Sequence, residues 1–145
     1  MPRPVKTNAR AADALQSALD AELTGVALYT HLAFRVFGPQ MQGIVAFLRG
    51  QAAESLLHAQ AVGDRMTMIG ATPRVRVAEE IEHAPSTLDE ILRVSLVHEK
   101  RAVECYRNVM TAAEGDIALE EFARGMVATE TDHASGLEKM LRPMG

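Results

Sequence analysis

Glu130-Thr131-Asp132-His133 lies in the last periodic stretch of the chain, where Phe122, Met126, Glu130, His133, Leu137 and Met140 recur at spacings of three and four. Residues three apart on a helix stand about one turn from each other on the same face. Glu130 and His133 can therefore offer a carboxylate oxygen and an imidazole nitrogen to one point. The apolar residues that flank them place that point on the inward side of the helix. A Glu-x-x-His pair facing the interior of a helix bundle is half of a carboxylate-bridged dinuclear metal site.

Working outward, three more segments carry the same helical period. Residues 8–37 place Leu15, Leu19, Glu22, Val26 and Tyr29 on one stripe and stop at Gly38-Pro39. Residues 40–69 align Ile44, Leu48, Gln51, His58, Val62, Met66 and Ile69, and close at Gly70. Residues 87–113 align Leu92, Leu96, Glu99, Val103 and Tyr106, with Ser86-Thr87 as cap and Gly115-Asp116 as breaker. The fourth segment covers residues 116–141. Short turns join the first helix to the second and the third to the fourth, giving antiparallel hairpins. Residues 71–85 form a longer connection across the bundle, whose Arg74-Val75-Arg76-Val77 alternation predicts extended chain.

Composition agrees with an all-α chain: 48% hydrophobic residues, no Trp, and few Gly and Pro in 145 residues, enough for one domain over 1–145 with its own core. The net charge is −4, with both signs interspersed, and the only basic cluster is Arg3, Lys6 and Arg10 at the start, so no nucleic-acid partner is expected. No stretch is apolar and long enough to span a membrane, and no apolar run follows the basic start as in a secretory signal. The single cysteine, Cys105, fits a packing role in a reducing compartment, which makes the cytoplasm the expected location.

The informative residues are those that interrupt the stripes. Glu22 and Glu99 occupy positions flanked by apolar residues, where burying a lone charge is costly unless it is paired or metal-bound. His58 interrupts the second stripe and His133 the fourth. Four helices that each turn a carboxylate or imidazole toward the middle of a bundle are poorly explained by solvation. Hard oxygens mixed with imidazole suit iron, manganese or zinc.

With these residues the chain resembles the ferritin-like di-iron superfamily, and within it the bacterioferritins, over all four helices. The resemblance is carried by Glu22 with Tyr29 seven residues on, His58 followed by Ala, Glu99, and Glu130-x-x-His133, and by the 36-residue interval from Glu22 to His58. It implies an antiparallel four-helix bundle with a long crossover between the second and third helices. It further implies a dinuclear iron site: Glu22 and Glu99 as terminal ligands, Glu130 as a bridge, and His58 and His133 as one nitrogen ligand per iron. Tyr29 would be the catalytic side chain, a hydrogen-bonding or redox-active phenol. The implied activity is a ferroxidase that oxidises Fe(II) with O2 or H2O2 for iron storage or detoxification. The partners are then those small molecules and further copies of the chain in a homo-oligomer, dimer or larger.

Three departures from the family pattern bear on this. The second helix of the family reads Glu-x-x-His, whereas here Ser55 stands three before His58 and Glu54 four before. At about 100° per residue, Glu54 and Ser55 flank the His58 direction on opposite sides. A local π-bulge would bring Glu54 inward as the sixth metal ligand; without it, Glu54 points toward a neighbouring helix. Leu56 replaces the haem-ligating methionine, so haem is not supported. Too few residues follow His133 for the short fifth helix of ferritin cages, which leaves the size of the assembly open. Two other readings remain: a different Mn or Fe oxidase or peroxidase on the same bundle, and a non-catalytic bundle whose site has degraded. His31 and His98, off the ligand faces, are expected to face neighbours or a subunit interface, and His83 to be exposed.

Overall fold

In the computed structural model, residues 8–76 and 81–144 are described. Arg3, Lys6 and Val77 of the expectations above lie outside them. The chain forms four helices, α1 (Ala9–Phe34), α2 (Met41–Met68), α3 (Leu88–Ala112) and α4 (Ile117–Leu141), with no strand among the described residues. No helix is long and apolar enough to cross a membrane.

Three of the four helix starts have a side-chain cap. The Asn8 side chain accepts from Ala11 N–H to start α1, and Asp116 accepts from Leu119 N–H to start α4. Thr87 and Glu90 form a reciprocal capping box at α3. Gly38 and Gly115, with φ of 104° and 94°, supply the left-handed backbone that reverses the chain after α1 and α3. Helix α1 packs on α2, α3 on α4, and α1 on α3.

The connection after α2 is neither helix nor strand over residues 71–76 and lies against α1. Gln16, buried in α1, donates its amide to the Arg74 carbonyl and accepts the Arg74 N–H, both at 2.9 Å. Farther on, His31 Nε2 meets the His83 carbonyl at 2.6 Å. No fifth helix follows α4 among the described residues.

Apolar packing is divided in two. One cluster holds Leu15, Leu19, Val62, Met66, Tyr106, Val109 and Leu119; the other holds Leu28, Tyr29, Leu32, Leu48 and Ile91. Between these clusters α1, α2 and α3 carry polar residues, Glu22, Ser55 with His58, and Glu99, and α4 adds Glu130 beyond its part in the first cluster. The three glutamates of that layer are buried, whereas His58 and His133 stay half-buried at its edge. Met140, expected to face inward, is instead 52% exposed, because α4 outlasts the core at its end.

Candidate metal centre

Glu22, His58 and Glu130 bring one donor atom each within 4.8 Å of one another, and Glu99, Glu130 and His133 form a second such group. Glu130 belongs to both. Its Oε1 lies 2.8 Å from His58 Nδ1, and its Oε2 lies 3.2 Å from His133 Nδ1. Glu22 Oε1 is 3.3 Å from the same Nδ1 of His58, and Glu99 Oε2 is 3.7 Å from Nδ1 of His133. Each half thus offers two carboxylates and one imidazole, with the central carboxylate spanning the halves. The donor set fits two hard or borderline divalent cations.

The three glutamates are buried, which a carboxylate tolerates only with strong partners. Burial raises Glu22 to about 7, against the opposing bond from His58. Burial also raises Glu99, although His133 and Tyr29 bond to it. Glu130 is desolvated as well, yet the bonds from His133 and His58 outweigh burial and hold it far below the carboxylate range. His58 is opposed by burial and lifted to about 10 by Glu130 and Glu22. His133 is lifted to about 10 by its bonds to Glu130 and Glu99. Near neutrality two imidazolium protons therefore hold this layer together, standing where cations would.

Two phenols complete it. Tyr29 donates to Glu99 Oε1 at 2.5 Å and Tyr106 donates to Glu22 Oε1 at 2.7 Å. Tyr106 escaped the sequence reading as anything but a core position. The signal was present: Glu22 and Tyr29 are seven apart, and so are Glu99 and Tyr106. Each tyrosine serves the glutamate of the other helix. Burial pushes both hydroxyls above their ordinary pKa, so both stay protonated donors.

Glu54 stands apart from both triads. Helix α2 is α-helical from Met41 to Met68, with no π-bulge at position 54. Glu54 accordingly points toward α4, where its Oε1 lies 3.2 Å from His133 Nε2 and 3.7 Å from His58 Nε2. Ser55 is buried where the family pattern has a carboxylate, and its Oγ and His98 Nε2 would lie 2.9 and 2.7 Å from any Cβ at Gly25. The absence of a side chain at Gly25 admits both. His98, expected toward a neighbour, is instead buried within the chain, its ring edge-on to Tyr29 at 5.7 Å, and burial lowers its pKa. His83 is exposed.

Comparison with known proteins agrees with this architecture. The Ferritin family model, a ferritin-like domain, matches residues 12–144, and the chain belongs to that family. No curated protein sequence matches it significantly. Among solved structures, a ferritin-like diiron-carboxylate protein from Bacillus anthracis aligns at 22% identity with a TM-score of 0.83, over 98% of this chain and 100% of that one. The bacterioferritin of Rhodobacter capsulatus, with a metal-free dinuclear site and haem iron, aligns at 21% identity and TM-score 0.80, over 92% of this chain and 84% of its own. A dodecameric thioferritin from Bacteroides fragilis, related to bacterioferritin, gives 22% and 0.80 over 92% and 85%. At these identities the likeness is one of fold.

Proposed function

We propose that the chain binds two Fe(II) ions in the paired triads and oxidises them with O2 or H2O2, as a ferroxidase serving iron storage or detoxification. The observation that carries this reading is Glu130, whose two oxygens face different triads. In this reading Glu22 and His58 hold one ion, Glu99 and His133 the other, and Glu130 spans both. The redox chemistry is the iron's: two Fe(II) yield two electrons, which with two protons reduce O2 to H2O2, or H2O2 to two waters.

The protein's part is geometric and electrostatic. His58 and His133 surrender their Nδ1 protons when Nδ1 takes a cation. Tyr29 orients Glu99 and Tyr106 orients Glu22, so that each terminal carboxylate keeps one oxygen tied to a phenol. Tyr29, bonded directly to Glu99, is the phenol proposed for a redox role. The burial of Glu22, Glu99 and Glu130 keeps bulk water from the carboxylates, while His58 and His133 stand half-buried beside them. The same donors suit Mn(II), so a manganese or mixed-metal oxidase is the neighbouring reading. Buried Ser55, where the pattern expects a second bridge, is the observation that favours a bundle without turnover.

Leu56 offers no sulfur donor, and haem is not part of the proposal. Rapid Fe(II) oxidation by the wild-type chain, lost in His133→Ala, is the expected result. Unchanged oxidation kinetics in that variant would remove the site assignment.

A further inference from the structure

The rings of His58 and His133 lie almost parallel, 9° apart, with centroids separated by 6.3 Å. Their inner ends are joined by Glu130, one oxygen to each Nδ1. At their outer ends, among the described residues, both Nε2 atoms are paired with one group only. That group is Glu54, whose Oε1 is 3.2 Å from one and 3.7 Å from the other. Both are ion-pair approaches and not hydrogen bonds, and Glu54 makes no other ion pair among the described residues. Its side chain is 38% exposed, so it sits at the rim of the layer and not within it.

We infer that Glu54 is a positioning residue whose single carboxylate faces the outer N–H edge of both imidazoles and holds them electrostatically, tying the two nitrogen donors together. The inference rests on the reading above, in which each Nδ1 binds a cation. An imidazole that gives its Nδ1 lone pair to a metal keeps its proton on Nε2. An acceptor at that N–H fixes the tautomer, sets the ring's angle and raises its basicity. The register of α2 provides the acceptor. A carboxylate three residues before His58 would point at the cations, whereas one four residues before lies a turn away along the same face and reaches the far side of the ring. The departure at positions 54 and 55 thus relocates a carboxylate from the inner edge of the two imidazoles to their outer edge. The site keeps one inner bridge, Glu130, and gains an outer one.

Sharing has a signature. Removal of a ligand on one side, such as His58, weakens one metal position, whereas removal of Glu54 weakens both together. The test is titration of the metal-free full chain with Co(II), comparing wild type, Glu54→Ala and Glu54→Asp. Stoichiometry and affinity are followed by visible absorption, and the Nε2 protons as solvent-exchangeable, hyperfine-shifted NMR resonances. Expected are two Co(II) per chain in all three proteins, with two exchangeable resonances in wild type. In Glu54→Ala both affinities should fall about 10–100-fold and both resonances should broaden or vanish through exchange, with partial recovery in Glu54→Asp. Loss of one Co(II) in Glu54→Ala would overturn the inference by making Glu54 a ligand. A response of only one resonance, or no change in affinity and resonances, would overturn it equally. Fewer than two Co(II) in wild type would remove the dinuclear reading itself, before any substitution is made.

Discussion

Tyr29 of α1 donates its hydroxyl to Glu99 of α3 at 2.5 Å, and the arrangement is mirrored by Tyr106 of α3 and Glu22 of α1. The two helices run antiparallel and are thus cross-braced by phenol–carboxylate bonds on both sides of the polar layer. Neither glutamate is steadied by its own helix. Loss of either hydroxyl leaves a buried carboxylate one donor short. Tyr29→Phe and Tyr106→Phe should each lower the stability of the metal-free protein by about 1–3 kcal/mol, measured by urea unfolding. If Tyr29 also has a redox role, only Tyr29→Phe should slow Fe(II) oxidation beyond what weakened metal binding explains.

The metal-free protein should become less stable as pH rises. His58 and His133 have folded pKa values raised from 6.5 to about 10. Their contribution is complete below the unfolded value and lost as pH climbs through about 10. Glu22, raised from 4.5 to about 7, acts in the same direction over its own lower window. Between these limits the folded state binds more protons than the unfolded chain, which gives stability a negative slope with pH. Glu130 acts oppositely, but its loss falls in strong acid, since its folded pKa is lowered. Thermal unfolding of metal-free protein should give a Tm that falls from about pH 6 to about pH 10; a rise across that interval would contradict the protonated imidazoles.

Cation binding should release protons for the same reason. At neutral pH the two Nδ1 protons must leave, together with whatever proton Glu22, raised to about 7, still holds, so loading should liberate about two protons per chain or more, read from the buffer dependence of the calorimetric heat. Chelator should lower Tm, and restoring metal to about 100 times its Kd should return about 2.7 kcal/mol for each occupied site.

Gly25 should not tolerate a side chain. A Cβ there would sit 2.7 Å from His98 Nε2 and 2.9 Å from Ser55 Oγ, both buried. Gly25→Ala should destabilise by about 1–3 kcal/mol through overpacking, and His98→Ala in the same chain should relieve part of that loss. Additive effects in the double variant would mean that the two residues do not compete for the space.

The fold and the convergence of five candidate residues were legible because helical period and interruption coincide: Glu22, His58, Glu99, Glu130 and His133 each break an apolar stripe, and the structure gathers all five. Glu54 was less legible, because its role depends on whether α2 bulges, which residues 54 and 55 do not decide alone. His98 and Gly25 were hidden for another reason. Their burial depends on the contact between α1 and α3, a tertiary relation with no trace in either helix's own period. Tyr106 was placed correctly in the core, but its bond to Glu22 follows from the same packing.

The central claim is a two-cation layer spanned by Glu130, and its most direct test is anaerobic titration of the metal-free chain with Fe(II) before oxygen is admitted. Two tightly bound Fe(II) per chain is the predicted result. One or none would mean that buried Ser55 has cost the layer its dinuclear character, and would contradict the account.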